Sequence, residues 1–218
     1  MKKICLLFAV LSIWACNSEP KLKARCYVRF LEEENKLQTK IEVREINQKE
    51  IAALKLDEAR FNEGAMEHHE NQVVGNYYQS ENTSGYPNSG FEFNVKNGKT
   101  EAVIQFESSI IKNPTVKEIK ISKSKGFTIC WEGKPLVKEE DLTVTITDTL
   151  GVVAQAIVKG ATAKTEAVIP NVMYSGLKTG KATLFLVKTA LPLPKTKDIE
   201  ATAEVGYYTK PQTIEIVD

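Results

Sequence analysis

Few residues of this 218-residue chain could act in catalysis or metal binding. The only two histidines are adjacent, in the segment Glu67-His68-His69-Glu70, which places four potential metal ligands in four positions. Adjacent side chains of a strand point to opposite faces, so one metal ion cannot easily bind both imidazoles unless the segment is a loop. We predict a solvated polar loop here and no metal site, with adventitious Zn²⁺ or Ni²⁺ binding as the alternative.

The other common catalytic arrangements find little support. Nucleophilic catalysis needs a serine or cysteine beside a base held by a third group, and the two adjacent histidines leave few such bases. No Gly-x-Ser-x-Gly turn or phosphate-binding glycine loop occurs, and Cys130 adjoins Trp131 in a predicted core strand. Acidic groups such as residues 32–34 and 139–141 fall in turns or alternating runs, which are ordinarily exposed. We therefore predict no catalytic residue, no cofactor and no enzymatic activity.

Cys26 and Cys130 are the cysteines of the predicted folded part. In an oxidising compartment they could form a disulfide that closes a loop of about a hundred residues and stabilises the fold by up to about 4.7 kcal/mol. The alternative is two separate buried thiols that pack as small apolar side chains.

A Gly-, Asn- and Ser-rich segment, residues 76–90, predicts a loop that contains Tyr77, Tyr78 and Tyr86. Tyrosines are favoured where one side of the ring is apolar and the other is wet, so these three are a candidate platform for a sugar ring or a protein partner, together with the Tyr207-Tyr208 pair. The alternative is that the rings cover the ends of the fold.

The elements that must position these residues are predicted to be strands, because apolar and polar residues alternate between turn signals through most of the chain. The clearest hairpin is residues 91–106, in which Asn97-Gly98 suits a type I′ turn and pairs Phe93 with Ala102 and Phe91 with Ile104. Further strands are predicted at the following residues: 24–31, 37–46, 116–122, 127–131, 142–146, 152–158, 165–169, 182–187, 199–205 and 213–217. For residues 47–61 we weigh a helix that begins at the capping box Asn47-Gln48-Lys49-Glu50 against a short strand at 56–61.

The fold class predicted is an all-β antiparallel sandwich, with two packed β domains at residues 24–113 and 114–218. In the rhythm of its strands, the second domain resembles an immunoglobulin or fibronectin type III sandwich. It lacks the disulfide-plus-tryptophan arrangement of antibody domains, because only one cysteine lies in this half.

The N-terminus predicts export. Lys2 and Lys3 precede a short apolar run from Cys5 to Trp14, and Ala15 and Cys16 follow it, so the segment ends in Ile13-Trp14-Ala15-Cys16. This segment resembles the lipobox of bacterial lipoproteins, in which the cysteine is acylated and becomes the new N-terminus. The resemblance implies lipidation of Cys16, a short tether at residues 17–23 and, because Asn17 is not the aspartate that retains such proteins at the inner membrane, an outer-membrane location facing either the periplasm or the outside.

The charge balance bears on partners. The chain has 29 basic and 28 acidic residues, and without Lys2 and Lys3 the count is 27 against 28, a net charge of −1. Proteins that bind nucleic acids usually carry a basic excess on one face, so we expect no nucleic-acid partner. We expect a lipid-anchored envelope protein that acts as a non-catalytic binding, adhesion or assembly module, with a membrane and an envelope protein or glycan as partners. The alternatives are a carbohydrate-binding accessory lipoprotein and, third, a carboxylate-based hydrolase.

Overall fold

A computed structural model describes residues 21–46 and 51–218, and within these residues the protein is an all-β sandwich without an α-helix. One 3₁₀ turn occurs at Asn171–Met173. The strands are β1 (Lys21–Leu31), β2 (Lys36–Ile46), β3 (Ile51–Ala53), β4 (Glu58–Phe61), β5 (Gly64–Ala65), β6 (Glu67–Asn71), β7 (Gly75–Asn82), β8 (Phe91–Asn97), β9 (Thr100–Phe106), β10 (Lys112–Val116), β11 (Lys120–Ser122), β12 (Phe127–Glu132), β13 (Glu140–Asp148), β14 (Val153–Lys159), β15 (Glu166–Ile169), β16 (Gly180–Ala190), β17 (Glu200–Tyr208) and β18 (Gln212–Val217). In the described part of the chain, no helix has the length and apolar character needed to cross a membrane.

The strands form three sheets. The main sheet has eleven strands and follows the order β11-β18-β16-β17-β1-β2-β7-β6, with β13 and β14 attached through β16 and with β3 attached through β2. A four-stranded sheet has the order β5-β4-β8-β9, and a three-stranded sheet has the order β10-β12-β15. Because the chain is antiparallel almost throughout, two parallel pairs stand out, β1 with β17 and β11 with β18.

The core lies between the main sheet and the two smaller sheets. On the N-terminal side, Phe30 of β1 stacks on Tyr207 of β17 at 5.6 Å between ring centroids, and Tyr86 packs edge-on against both Phe30 and Phe91. On the C-terminal side, the buried aromatic residues are Phe127, Trp131 and Tyr174. The alternation read from the sequence is thus the alternation between core and solvent that a sheet with one buried face requires.

The main sheet does not break at the predicted boundary between residues 113 and 114. β17 lies in the second half of the chain, yet it pairs with β1 from Lys23↔Glu200 to Leu31↔Tyr208. β16 joins the two sides, because its first half pairs with β18 and its second half with β17. One continuous sheet therefore spans both predicted domains.

The hairpin at residues 91–106 forms, but its register differs from the predicted one. Phe93 pairs with Ile104 and Phe91 pairs with Phe106, so β9 is shifted by two residues. The reason is the turn: Asn97 pairs with Thr100, and Gly98 and Lys99 are the two turn residues. Gly98, at φ +60°, supplies the one positive φ angle that this turn uses. The shift of two leaves the same residues on the apolar face.

Two predicted loops are strands. Residues 67–70 lie in β6, and Tyr77 and Tyr78 lie in β7. For the segment in which a helix and a strand were both considered, the structure has β3 at Ile51–Ala53 and β4 at Glu58–Phe61, while residues 47–50 lie outside the described residues.

Candidate ligand-binding face

The outward side of five neighbouring strands of the main sheet, β6-β7-β2-β1-β17, carries the richest set of polar and aromatic side chains. Alternation places Cys26, Val28 and Ile41 of β1 and β2 in the core, so the residues between them point away from it. Strand registers then align the outward residues in rows across the sheet. We call this set of residues the outer face: Arg25, Tyr27, Arg29, Gln38, Lys40, Glu42, Glu67, His69, Tyr77, Gln79, Glu81, Glu204, Gly206 and Tyr208.

A row of stacked rings and cations crosses the outer face. His69 of β6 stacks on Tyr77 of β7, with centroids 5.2 Å apart and planes inclined by 13°. The ammonium nitrogen of Lys40 lies 4.4 Å from the centroid of the Tyr77 ring and 5.9 Å from that of Tyr27. The same nitrogen is 2.7 Å from a carboxylate oxygen of Glu42, which is almost fully buried. Such cation–π contacts and the ion pair fix the position of Lys40 and keep the surrounding rings in place.

A second stack lies where β1 meets β17. The guanidinium carbon of Arg29 is 4.4 Å from the centroid of the Tyr208 ring. Gly206 makes room for this ring, because a Cβ atom there would lie 3.1 Å from Cε2 of Tyr208. Arg29 is exposed, so its planar fork of N–H donors is presented on a rigid aromatic support.

Between these stacks lies an open groove with a volume of about 530 Å³, within the range of about 300–1,000 Å³ that small-molecule sites occupy. Its walls include Tyr27, Arg29 and Tyr208 on one side and the amides Gln38 and Gln79 on the other. The groove therefore combines aromatic surface with side chains that both donate and accept hydrogen bonds, all held on strands.

The charges along the groove are largely compensated. Glu81 accepts a hydrogen bond from Gln38 at 2.9 Å and a salt bridge from Lys36 at 3.2 Å. Hydrogen bonds from Gln38 and Lys36 lower the pKa of Glu81 below its ordinary value, so this carboxylate is ionised at neutral pH. Arg29 and Glu204, which also line the groove, add one charge of each sign.

A larger groove, of about 700 Å³, lies between the four-stranded sheet and residues 191–195. Its aromatic residues are unavailable to a ligand, because Phe91 and Phe106 are both buried in the core. Its central carboxylate, Glu92, accepts hydrogen bonds from Asn94 and Gln105. We therefore place the candidate site on the outer face and not in this groove.

The candidate platform of Tyr77, Tyr78 and Tyr86 does not form, because the three rings point to different places. Tyr78 is only 5% exposed, and its hydroxyl donates to the carbonyl of Leu56 at 2.9 Å and accepts from the Leu56 N–H at 2.7 Å. Tyr86 packs in the aromatic core and donates to the carbonyl of Ser108, and burial raises its pKa to about 12. Only Tyr77 belongs to the outer face, together with Tyr27 and Tyr208.

The histidines separate as strand geometry requires. His68 is hydrogen-bonded to the side-chain oxygen of Asn76 at 2.9 Å, whereas His69 stacks on Tyr77. In the described residues, no group of three or more His, Cys, Asp or Glu side chains is arranged to hold a metal ion.

Of the two possibilities for Cys26 and Cys130, the structure has the separate thiols, and no disulfide joins them. Cys26 lies in β1 of the main sheet, whereas Cys130 lies in β12 of the three-stranded sheet. Burial raises the pKa of Cys26 to about 12, so this thiol is protonated at neutral pH. Cys130 is partly exposed, and its sulfur lies 4.0 Å from Oε2 of Glu166. The predicted lipidation site, Cys16, lies outside the described residues.

Several carboxyl groups of the described chain have clearly shifted pKa values, and all of these are lowered: Glu81, Glu92, Asp148, Glu166 and Glu200. Hydrogen-bond donors and lysines favour the charged form in each case. A general acid for glycoside hydrolysis needs the opposite shift, because it must hold its proton near neutral pH. None of these five groups has the character of such an acid.

Known proteins offer no guide, since no family model matches this chain and neither does any curated protein. Tyr27, Arg29, Gln38 and Gly206 were not singled out from the sequence. Alternation in residues 24–31 does place Tyr27 and Arg29 on the polar side of a strand, but only the pairing of β1 with β17 brings them to Gly206 and Tyr208.

Proposed function

We propose that this protein is a lipid-anchored β-sandwich of the bacterial cell envelope that acts as a non-catalytic binding module through its outer face. The observation that carries the binding role is the open groove of about 530 Å³, in which Tyr27, Arg29 and Gln38 stand on neighbouring strands. Side chains held on paired strands keep their positions before a ligand arrives, which reduces the entropy lost on binding.

Support for the anchor comes from the lipobox-like segment that ends at Cys16. β1 begins at Lys21, five residues after Cys16, and five residues span at most about 18 Å. The outer face would then lie close to the surface of the outer membrane, where envelope proteins and glycans are the available partners. An N-terminal cysteine that carries several acyl chains is a durable anchor, since each buried methylene contributes about 0.8 kcal/mol.

The second candidate function is that of a carbohydrate-binding accessory lipoprotein, because the groove suits a glycan as its ligand. Sugar rings present apolar C–H faces and many hydroxyl groups. Tyr27 offers an aromatic face, and the amides Gln38 and Gln79 with Glu204 offer donors and acceptors in a groove whose charges are nearly balanced.

The anchor is tested by expressing the chain with its own N-terminus and measuring the mass of the N-terminal peptide from the membrane fraction. The proposal requires an acylated Cys16 and a Cys16→Ser variant that is no longer lipidated. An unmodified Cys16 in mature, membrane-free protein would refute the anchor and leave the binding role untouched.

The binding role is tested on a glycan array and by cross-linking in intact cells, with the double variant Arg29→Ala/Gln38→Ala. The matched control is Arg60→Ala, which removes an exposed arginine from the four-stranded sheet. The proposal requires a bound glycan or a cross-linked envelope protein whose retention falls at least about tenfold in the double variant, the equivalent of about 1.4 kcal/mol, and is unchanged in the control. Equal retention by all three proteins would refute the outer face as the binding surface.

A further inference from the structure

β14 is an edge strand without the usual protection. Seven residues long, it pairs with β13 alone among the described strands. Proteins usually protect sheet edges with short strands, charges, proline or a covering loop. In the described chain, β3, β5, β11 and β15 have four residues or fewer, β6 is the polar run Glu67–Asn71, β10 contains Pro114, and β9 is covered where Gln105 bridges to Lys195. Apart from Lys159 at its end, β14 has no charge, no proline and, among the described residues, no loop paired along its edge. The 3₁₀ turn contacts β14 on its core-facing side, near Ala154 and Ala156.

Exposed apolar residues are concentrated around the same edge. Of the fourteen exposed large apolar residues in the described chain, six lie on β14, on the turn before it or on the 3₁₀ turn that contacts β14. These six residues are Leu150, Val152, Val153, Ile157, Val172 and Met173. On β14 itself, Val153 and Ile157 are 54% and 60% exposed, and Gln155 lies between them on the same face.

We propose that β14 is a self-association surface, at which two copies of this chain pair their β14 strands antiparallel about a twofold axis at Gln155. In this register Val153 of one copy faces Ile157 of the other, Gln155 faces Gln155, and Ala154 faces Ala156. Each of the five residues from Val153 to Ile157 thus meets a residue of matching polarity. The pairing also satisfies the free backbone N–H and C=O groups of both edges.

Charge supports a second copy as the occupant. Lys159 is the only charged residue of β14, and its ammonium already lies 2.5 Å from a carboxylate oxygen of Asp141. In the antiparallel register the two Lys159 residues lie at opposite ends, about 27 Å apart at about 3.4 Å per residue, which is well beyond the Debye length of about 8 Å. The interface uses the same surface of both copies, so it closes after two chains and yields a dimer.

The oligomeric state of the full chain in detergent, measured by sedimentation equilibrium, is the first test. The wild-type chain is expected to be a dimer, and Ile157→Lys is expected to raise the dimer dissociation constant at least about a hundredfold. Ile119→Lys is the matched control, because Ile119 is 74% exposed and lies outside β14. A monomeric wild-type chain, or a dimer that Ile157→Lys leaves unchanged, would overturn the proposal.

The register is tested with single cysteines in a Cys130→Ser background, which removes the partly exposed native thiol. Gln155→Cys is expected to form an intermolecular disulfide under mild oxidation, because directly opposite strand residues have the Cα spacing that a disulfide needs. Val153→Cys and Ile157→Cys are each expected to remain unlinked alone and to cross-link when the two variants are mixed. Cross-linking of Val153→Cys to itself would overturn the proposed register. A Gln155→Cys thiol that links only to a different envelope protein would overturn the second copy as the occupant. Neither outcome bears on the outer face or on Cys16.

Discussion

A buried ion pair ties the two sides of the molecule together. Lys188 of β16 is 2% exposed, and its ammonium nitrogen lies 2.6 Å from Oε1 of Glu140 on β13. The same ammonium donates to the carbonyl oxygen of Ser109 at 2.7 Å and to its hydroxyl at 2.8 Å. Ser109 lies between β9 and β10, in the segment that leads from the N-terminal to the C-terminal strands. Burial lowers the pKa of Lys188 from its ordinary value despite the attraction of Glu140.

Removing one partner should therefore cost more stability than removing both. In Lys188→Met, Glu140 stays buried with the N–H of Val137 as its remaining donor, at 3.2 Å. The Ser109 hydroxyl loses the ammonium as its partner, and the Ser109 carbonyl keeps the Ser108 hydroxyl, at 3.5 Å. An uncompensated buried charge costs about 3–5 kcal/mol of unfolding free energy. In Lys188→Met/Glu140→Leu no buried charge remains, and the lost hydrogen bonds of Ser109 and Val137 cost about 1–3 kcal/mol. The coupling energy between the two positions should thus be at least about 2 kcal/mol.

Urea unfolding followed by the fluorescence of Trp131 measures these differences, because this side chain is buried in the same part of the fold and its indole N–H donates to the carbonyl of Lys134. The matched control is Lys120→Met, which removes an exposed lysine from the ion pair with Glu215 and should change stability by less than about 1 kcal/mol. If Lys188→Met costs no more than the control, or if the two substitutions at 188 and 140 are additive, the ion pair does not hold the two sides together.

Two further predictions concern single side chains. Iodoacetamide should modify Cys130 in the folded protein at least about tenfold faster than Cys26, because Cys26 is 1% exposed and burial raises its pKa to about 12. Peptide mass mapping measures both rates, and equal rates would contradict the placement of Cys26 in the core. Asp148→Asn should be less stable than the wild type at neutral pH, because the carboxylate accepts from the N–H groups of Leu150, Val152 and Lys178, which lower its pKa below 3.8. A carboxyl group with a lowered pKa stabilises the fold above its unfolded-state pKa, and this stabilisation is lost as the pH falls through its folded-state pKa. The difference in stability between the two proteins should therefore shrink below about pH 4. Thermal unfolding measures it, and a constant difference between about pH 7 and pH 2 would contradict this role.

The strands could be predicted from the sequence wherever one side of a strand is apolar and the other polar. The pattern of residues 24–31 and 37–46 gives β1 and β2 with the correct inward residues, because burial of one face is a local property of each strand. β7 escaped prediction for the same reason. Tyr78 is the only fully buried residue between Gly75 and Asn82, so the segment has no apolar alternation and is a strand because β2 and β6 pair with it.

Turn chemistry explains the one error of register. Asn-Gly is the preferred pair for a turn with two positive φ angles, and this preference predicts a turn at residues 97 and 98. In the structure the N–H of Gly98 donates to a carboxylate oxygen of Asp57 at 2.7 Å, and Asn97 remains in the ladder opposite Thr100. A contact with a residue 41 positions earlier cannot be seen in the local sequence.

The candidate site depends on a pairing that no local pattern specifies. Tyr27 and Arg29 come from the first strand, whereas Gly206 and Tyr208 come from the seventeenth, and they meet only because β1 lies parallel to β17. Periodicity tells which side of each strand is wet, but it does not tell which strands are neighbours. The tyrosines that cluster in sequence, Tyr77, Tyr78 and Tyr86, are therefore dispersed in space, while three tyrosines from distant segments share the outer face.

The same continuous sheet relates the two proposed surfaces. From the outer face it runs through β17 and β16 to β13 and ends at β14, so the groove and the dimer edge occupy opposite parts of one layer. In the proposed dimer, two sheets of eleven strands become one, and the molecule presents two outer faces at a fixed separation. Two linked sites retain a multivalent ligand far more strongly than one, provided that the ligand can span them. A repeating polymer such as a glycan would satisfy that condition more readily than a single compact protein, so Ile157→Lys should weaken retention of a long glycan and leave the affinity for its short fragment unchanged.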